Sequence, residues 1–344
     1  MRNAPALFLI SRTHGLKAHL LKSQDYLRLL GTSDLKGIVD YLLTTDYSSE
    51  LSRIPTEGLM ASQLEQVFYK KLSERWHFLL GITSGNMREL LEAHNARLEV
   101  ENLKRIVRAV HGEEKASDAQ LISIPRKYQN MNFSALLRTK KMTEVADLLK
   151  ETPYKGLGEL LVEYERYNSL IVLETQLDKV YYSDFWLKTA KSSDRKRIRA
   201  LIGTEIDLRN LQLMISAKYM KLDPQLIERM IIDLRYKLRK NATTRLANVD
   251  LQEIPNVPLW TPYSQLLHTA VELVDEGRLV DMETLFSRYL YSYAEKMSAK
   301  CPTNLAYVFS YLTLCLREAK NLTTLVIGKQ TKIRTENLRK LVLF

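Results

Sequence analysis

Apolar residues return every three or four positions through long stretches of this chain. Met60, Leu64, Val67, Phe68, Leu72, Trp76, Leu79 and Leu80 form one stripe of the kind that turns one face of a helix toward a core. Ser84 then offers an N-cap for a second long helix, and Gly112 is placed to stop it. Along that helix Met87, Leu91, His94, Leu98, Asn102 and Ile106 share a face, with an asparagine in the middle of the apolar positions. Ile202, Ile206, Asn210 and Met214 repeat the arrangement further along. The pattern predicts an all-α protein.

Internal repetition organises these helices. Asp25–Tyr47 aligns without gaps on Asn132–Tyr154 at an offset of 107 residues. Leu29/Leu136, Leu30/Leu137, Thr32/Thr139, Asp40/Asp147, Leu42/Leu149, Thr45/Thr152 and Tyr47/Tyr154 are identical pairs. The Thr-x-Tyr ending recurs at Thr261-Pro262-Tyr263. A second motif, acid-x-x-Asn-Leu-x-x-apolar-apolar-x-small, has the same period. It begins at Glu99 with Asn102, at Asp207 with Asn210 and at Glu318 with Asn321, and the asparagines lie 108 and 111 residues apart. Ser117-Asp118, Asp223-Pro224 and Thr335-Glu336 then signal a helix start after each copy. Three homologous helical domains account for the chain, at residues 1–125, 126–236 and 237–344.

Asparagine is a mediocre helix former, and on an apolar face it survives where its amide is satisfied. The acid three residues earlier lies on the same helix surface and is a candidate partner. Glu99, Asn102, Asp207, Asn210, Glu318 and Asn321 therefore form a structural repeat signature. A packing role suits three chemical copies better than a single catalytic centre; direct binding is the competing reading.

Composition sharpens this picture. Glycine (12) and proline (9) are scarce, which favours long helices with short links over many short strands. The longest apolar runs, such as Tyr307–Leu316, fall short of the roughly 18–20 residues that cross a bilayer. Arg2 and the apolar stretch Ala4–Ile10 faintly imitate a signal peptide, but Arg12, His14, Lys17 and His19 follow without a cleavage signal, so export is not expected. Cys301 and Cys315 are expected as reduced thiols in the cytoplasm. The net charge is +11, with basic clusters at Lys188–Arg199 and Arg235–Arg245. Interspersed acids favour solvated helix faces, ahead of docking to an acidic protein or anionic lipid, and nucleic acid comes last.

Catalytic patterns are missing. Gly328-Lys329 lacks the rest of a phosphate loop and reads as a helix-ending glycine followed by a solvated or carbonyl-bonding lysine. The six histidines show no metal-ligand spacing, and His94 reads as a core histidine with a partner. No serine sits in a G-x-S-x-G elbow, and Glu113 and Glu114 look solvated beside a helix end. No catalytic, cofactor-binding or metal-binding residue is expected, and no small-molecule substrate.

The segments EVENLKRIV, EIDLRNLQLMISAKY and EAKNLTTLVIGKQ resemble the acid-x-x-Asn-Leu stretches of the C subunit of archaeal and bacterial A/V-type rotary ATPases, whose eukaryotic counterpart is the d subunit. The leucine-rich N-terminal helices ending in LLTTDY and the short C-terminal helix are similar to that family too. Val110 departs from the pattern, standing where the other copies carry Lys218 and Lys329. The resemblance implies three domains in a funnel with pseudo-threefold arrangement, peripheral to the cytoplasmic side of the membrane. Its implied partners are the central-shaft subunits (a coiled-coil subunit and a small globular companion) and the membrane proteolipid ring. Its implied work is to pass torque between them without catalysis. The alternative from another class is a helical scaffold that binds protein or nucleic acid.

Overall fold

The computed structural model describes residues 4–55, 57–114, 117–234, 236–258 and 261–344, and every regular element within them is helical. Arg2 and Arg235, named above, lie outside the described residues. Two compact units emerge: Met1–Arg88 with Ser287–Phe344, and Glu89–Phe286. The first is assembled from both ends of the chain.

At the centre of the first unit runs the helix Leu305–Gln330. Asn304 caps it, its side chain accepting from the Ala306 amide at 2.9 Å. From Leu305 to Leu316 the helix is buried on every side, which suits a segment with no polar face to turn outward. Ser310 and Thr313 lie within this stretch and donate to the carbonyls of Ala306 and Phe309 one turn back, so neither hydroxyl is stranded. The helix Ala61–Gly81 packs along it and buries Leu64, Val67, Phe68, Leu72, Trp76, Leu79 and Leu80 of the predicted stripe. Met60, the first member of that stripe, stays exposed at the N-cap. Ala4–Ala18 covers another side through Leu9, Ile10 and Thr13.

In the second unit Ile171–Thr189 packs against Arg195–Tyr219. Most of the helix Gly85–His111 belongs here as well and joins them through side chains. Among the described residues no helix is long and apolar enough to cross a membrane.

The three helices that carry the Asn motif end alike. Glu113, Lys221 and Lys332 each adopt a left-handed conformation, with φ of 55°, 57° and 56°. The following amides, of Glu114, Leu222 and Ile333, reach back to the carbonyls of Ala109, Ala217 and Gly328 at 2.8, 2.9 and 2.8 Å. This is the C-terminal cap that closes a helix by a six-residue loop, and the small residue of each motif supplies its acceptor. The first motif helix ends at His111, directly before Gly112 as expected, with Glu113 as the left-handed residue of the turn. The structure corrects one expectation. Gly328 lies inside its helix, where Leu338 packs so closely that an added Cβ would collide with its Cδ1. The helix-start signals are met unevenly: Asp223 caps Pro224–Met230, Ser117 opens only the single turn Asp118–Gln120, and Thr335 is itself the first helical residue.

Gly203 holds a similar packing constraint, because a Cβ there would lie 2.6 Å from both Cβ and Cγ of Tyr236. Tyrosine cannot relieve this by swinging its ring. Gly203→Ala should lower stability by about 1–3 kcal/mol from overpacking, despite the roughly 1 kcal/mol alanine gains inside a helix. Denaturant unfolding checks this; a raised midpoint would refute it.

Candidate functional site

Each motif asparagine is buried and grips the backbone of one apolar residue 20 to 22 positions later. Asn102 Nδ2 donates to the Ile122 carbonyl at 2.8 Å while its Oδ1 accepts from the Ile122 amide at 2.7 Å. Asn210 does the same with Ile232 at 3.0 and 2.8 Å. Asn321 does so with Leu343, both bonds at 2.8 Å. A primary amide presents a donor and an acceptor side by side, as a strand edge does, so it can satisfy a peptide whose side chain is sunk into the core.

The acids serve a different segment, which corrects their expected pairing with the asparagines. Glu99 accepts from Asn130 N and Nδ2 at 2.6 and 2.8 Å and from the Tyr154 hydroxyl at 3.4 Å. Asp207 accepts from the amides of Lys237 and Leu238 at 2.9 and 3.3 Å and from the Tyr263 hydroxyl at 3.0 Å. Glu318 accepts from Leu21 N at 2.5 Å, the Tyr47 hydroxyl at 2.8 Å and Arg75 Nη1 at 2.6 Å. Each acid therefore clasps an incoming backbone and the tyrosine of a Thr-x-Tyr motif. The threonine sets up that tyrosine: the amides of Tyr47, Tyr154 and Tyr263 bond to the hydroxyls of Thr45, Thr152 and Thr261 at 3.4, 3.2 and 3.4 Å. The two repeated motifs are two halves of one contact.

The register of this contact is cyclic. Glu99 holds the tyrosine of the second copy, Asp207 that of the third, and Glu318 that of the first. Lysines reinforce two copies, each capping the end of a second helix. Lys329 donates to the carbonyls of Leu30 and Thr32 at 2.8 and 2.6 Å, and Lys218 to those of Ala247, at 2.8 Å, and Val249.

Burial raises the pKa of Glu99, against the opposing pull of its bonds to Asn130 and Tyr154. Burial likewise carries Asp207 up to about 6, although Lys237, Leu238 and Tyr263 stabilise its charge. His94 is wholly buried beside the Tyr181 hydroxyl at 2.8 Å, and burial holds its pKa well below that of free imidazole. A further buried pair, Arg97 with Glu205, closes at 2.5 and 3.1 Å. These two stand five residues before Asn102 and Asn210, so equivalent positions of two repeats meet with opposite charge; the third copy has buried Leu316 there.

Two members of the basic cluster at 188–199 are engaged within the protein, while Arg195, Lys196 and Arg197 are exposed. Lys191 pairs with Glu89 at 2.9 Å, and Arg199 lies 4.7 Å over the Trp186 ring while bonding to Thr189. Sequence reasoning missed Arg75, which sits on a helix from another part of the chain and carries no repeat signal. The shared period of the two motifs was the clue that they meet.

A motif pattern of this kind, on an all-helical chain, is matched over residues 9–341 by the ATP synthase (C/AC39) subunit family. The chain belongs to that family. Its relatives include the C subunit of the A-type ATP synthase of Methanosarcina barkeri, 24% identical over 96% of this chain and 91% of the relative. Those of Methanosarcina acetivorans and Methanocaldococcus jannaschii are 26% and 22% identical, covering 95% and 99% of this chain and 89% and 86% of theirs. The protein is an ATP synthase subunit, accessory rather than catalytic. The acid, asparagine and tyrosine of each motif are hydrogen-bonded to another part of the fold.

Replacing Asn102, Asn210 or Asn321 with alanine should strand one buried amide and one carbonyl, costing about 1–3 kcal/mol for each. All three variants should melt earlier; an unchanged midpoint in any of them would refute the role of that amide. Asp207 gives a pH signature. Because its folded pKa is raised from 3.8 to about 6, its bound proton stabilises the fold fully below the unfolded value, and this is lost as pH rises through the folded one. Relative to Asp207→Asn, the natural protein should therefore lose about 2–3 kcal/mol between pH 4 and pH 7. Parallel urea titrations of both proteins at the two pH values measure it; a constant difference would contradict the shift.

Proposed function

We propose that the chain is the C subunit of an A-type ATP synthase: a non-catalytic part of the rotor that joins the turning central shaft to the membrane proteolipid ring. The observation that carries this reading is the threefold clasp, in which one contact is built three times and the last closes the chain's end onto its beginning. A part on a rotation axis has to meet its neighbours all round, and a cyclically repeated body does so. The likeness to C-subunit sequences of A-type ATP synthases over nearly the whole chain supports the same assignment.

In this reading the three domains at 1–125, 126–236 and 237–344 form a funnel with pseudo-threefold arrangement. The funnel is peripheral on the cytoplasmic side, with the coiled-coil shaft subunit and its small companion on one side and the ring on the other. Close-packed interiors deform little and so transmit strain.

Reconstitution tests the role. Without this chain, the catalytic head should still hydrolyse ATP, while vesicles carrying the membrane sector should build no ATP-driven ion gradient. Adding the purified chain, at one copy per complex, should restore the gradient. ATP-driven pumping at the normal rate in its absence would refute the coupling role and favour a helical scaffold.

A further inference from the structure

The three clasps differ in how far apart in sequence their halves lie. Glu99 and Asp207 reach tyrosines 55 and 56 residues away, whereas Glu318 reaches Tyr47 across 271 residues. For a flexible chain, closure falls as about the −3/2 power of length, so the third clasp is roughly tenfold harder to close on chain entropy alone. That clasp also differs in chemistry. Arg75 Nη1 lies 2.6 Å from Glu318, and Arg75 Nη2 lies 3.0 Å from Asp46, the residue beside Tyr47. The guanidinium also sits 5.5 Å over the Tyr47 ring. Arg75 and Glu318 are both buried. Among the described residues, neither Glu99 nor Asp207 has a cation within ion-pair distance.

The other bonds of this closure are ones that a helical segment can make or break together. Lys17 meets Ser298 at 2.7 Å, His14 meets the Pro302 carbonyl at 2.7 Å, and the His14 ring stacks on Tyr307 with centroids 3.9 Å apart. Ala61 N bonds Gln330 at 2.6 Å, and Lys329 caps the helix Ser23–Gly31 at Leu30 and Thr32. All of them join the segment before Arg88 to the segment after Ser287, which the polypeptide links only through the whole second unit.

We propose that Arg75 and Glu318 form the lock of a conformational closure: the N-terminal helices are a strap held on the C-terminal helix Leu305–Gln330. When the pair is broken, the strap opens as one body while the clasps at Glu99 and Asp207 stay shut. A buried ion pair suits a lock, because removing one partner leaves an uncompensated charge that the closed state cannot tolerate, whereas removing both is mild. This inference concerns the fold and stands apart from the rotor reading.

Hydrogen exchange on the full chain tests it, because each clasp has a backbone amide as its own reporter. Leu21 reports on Glu318, Asn130 on Glu99, and Lys237 with Leu238 on Asp207. In Arg75→Met, the Leu21 amide and those of Ala61–Gly81 should exchange on the order of 100-fold faster or more. The Asn130, Lys237 and Leu238 amides should keep their natural rates. The double variant Arg75→Met/Glu318→Gln, with both charges gone, should recover most of the lost protection. Glu99→Gln should speed Asn130 and leave Leu21 alone. Equal acceleration at all three reporters, no acceleration at Leu21, or a double variant no better than the single one would each overturn the proposal. Should Arg75→Met not fold, the double variant decides: Leu21 opening ahead of the other reporters under mild denaturant supports the strap, and simultaneous opening of all three overturns it.

Discussion

A carboxylate taken out of water has to be met by donors where it is buried, or its burial costs several kcal/mol. Three such groups, Glu99, Asp207 and Glu318, sit at equivalent places on three long helices, and much of the surrounding structure supplies their donors. An incoming backbone gives one or two amides, and a tyrosine gives its hydroxyl. The asparagine one turn on holds the next stretch of backbone in the same way. Each long helix therefore carries these two polar fixtures among its buried residues. Together they set which loop lies against it and in what register.

These fixtures are alike in plan and unlike in charge. Asp207 relies on amides and a hydroxyl, so burial dominates and lifts its pKa to about 6. Glu318 faces a guanidinium instead. For Arg75, burial works against its charge, but Glu318 and Tyr47 outweigh that and hold it protonated. The same motif position thus has two different electrostatic environments, set apart by Arg75 at Glu318.

Of the chain's 40 acidic and 51 basic residues, the buried Glu99, Asp207, Glu318, Arg75, Arg97 and Glu205 are all bonded within the fold. Among the described residues no group of three or more histidine, cysteine, aspartate or glutamate side chains is placed to hold a metal ion. The residues that would attract attention as catalysts, His94 with Tyr181 or Arg97 with Glu205, are buried and bonded to each other. A group so engaged fixes geometry, and an accessory subunit of an ATP synthase needs that.

Much of this was legible in the sequence because it rests on periodicity. Helical spacing of apolar residues reports which face is buried, so the all-α class and the stripe on Ala61–Gly81 follow from the order of residues alone. Repetition at one period likewise picked out both motifs, since equivalent structures need equivalent residues at equivalent intervals. Tertiary structure decided what those motifs touch. Glu99 lies three residues from Asn102 and shares its helix face, yet the two hold different segments, because the side chains extend toward different neighbours. Gly328 looks like a helix terminator in one dimension and is a packing notch for Leu338 in three. Arg75 has no repeat partner to betray it, and its meeting with Glu318 across 243 residues depends on the path of the whole chain. Local order carries local geometry; the pairing of distant charges is settled only when the two ends of the chain come together.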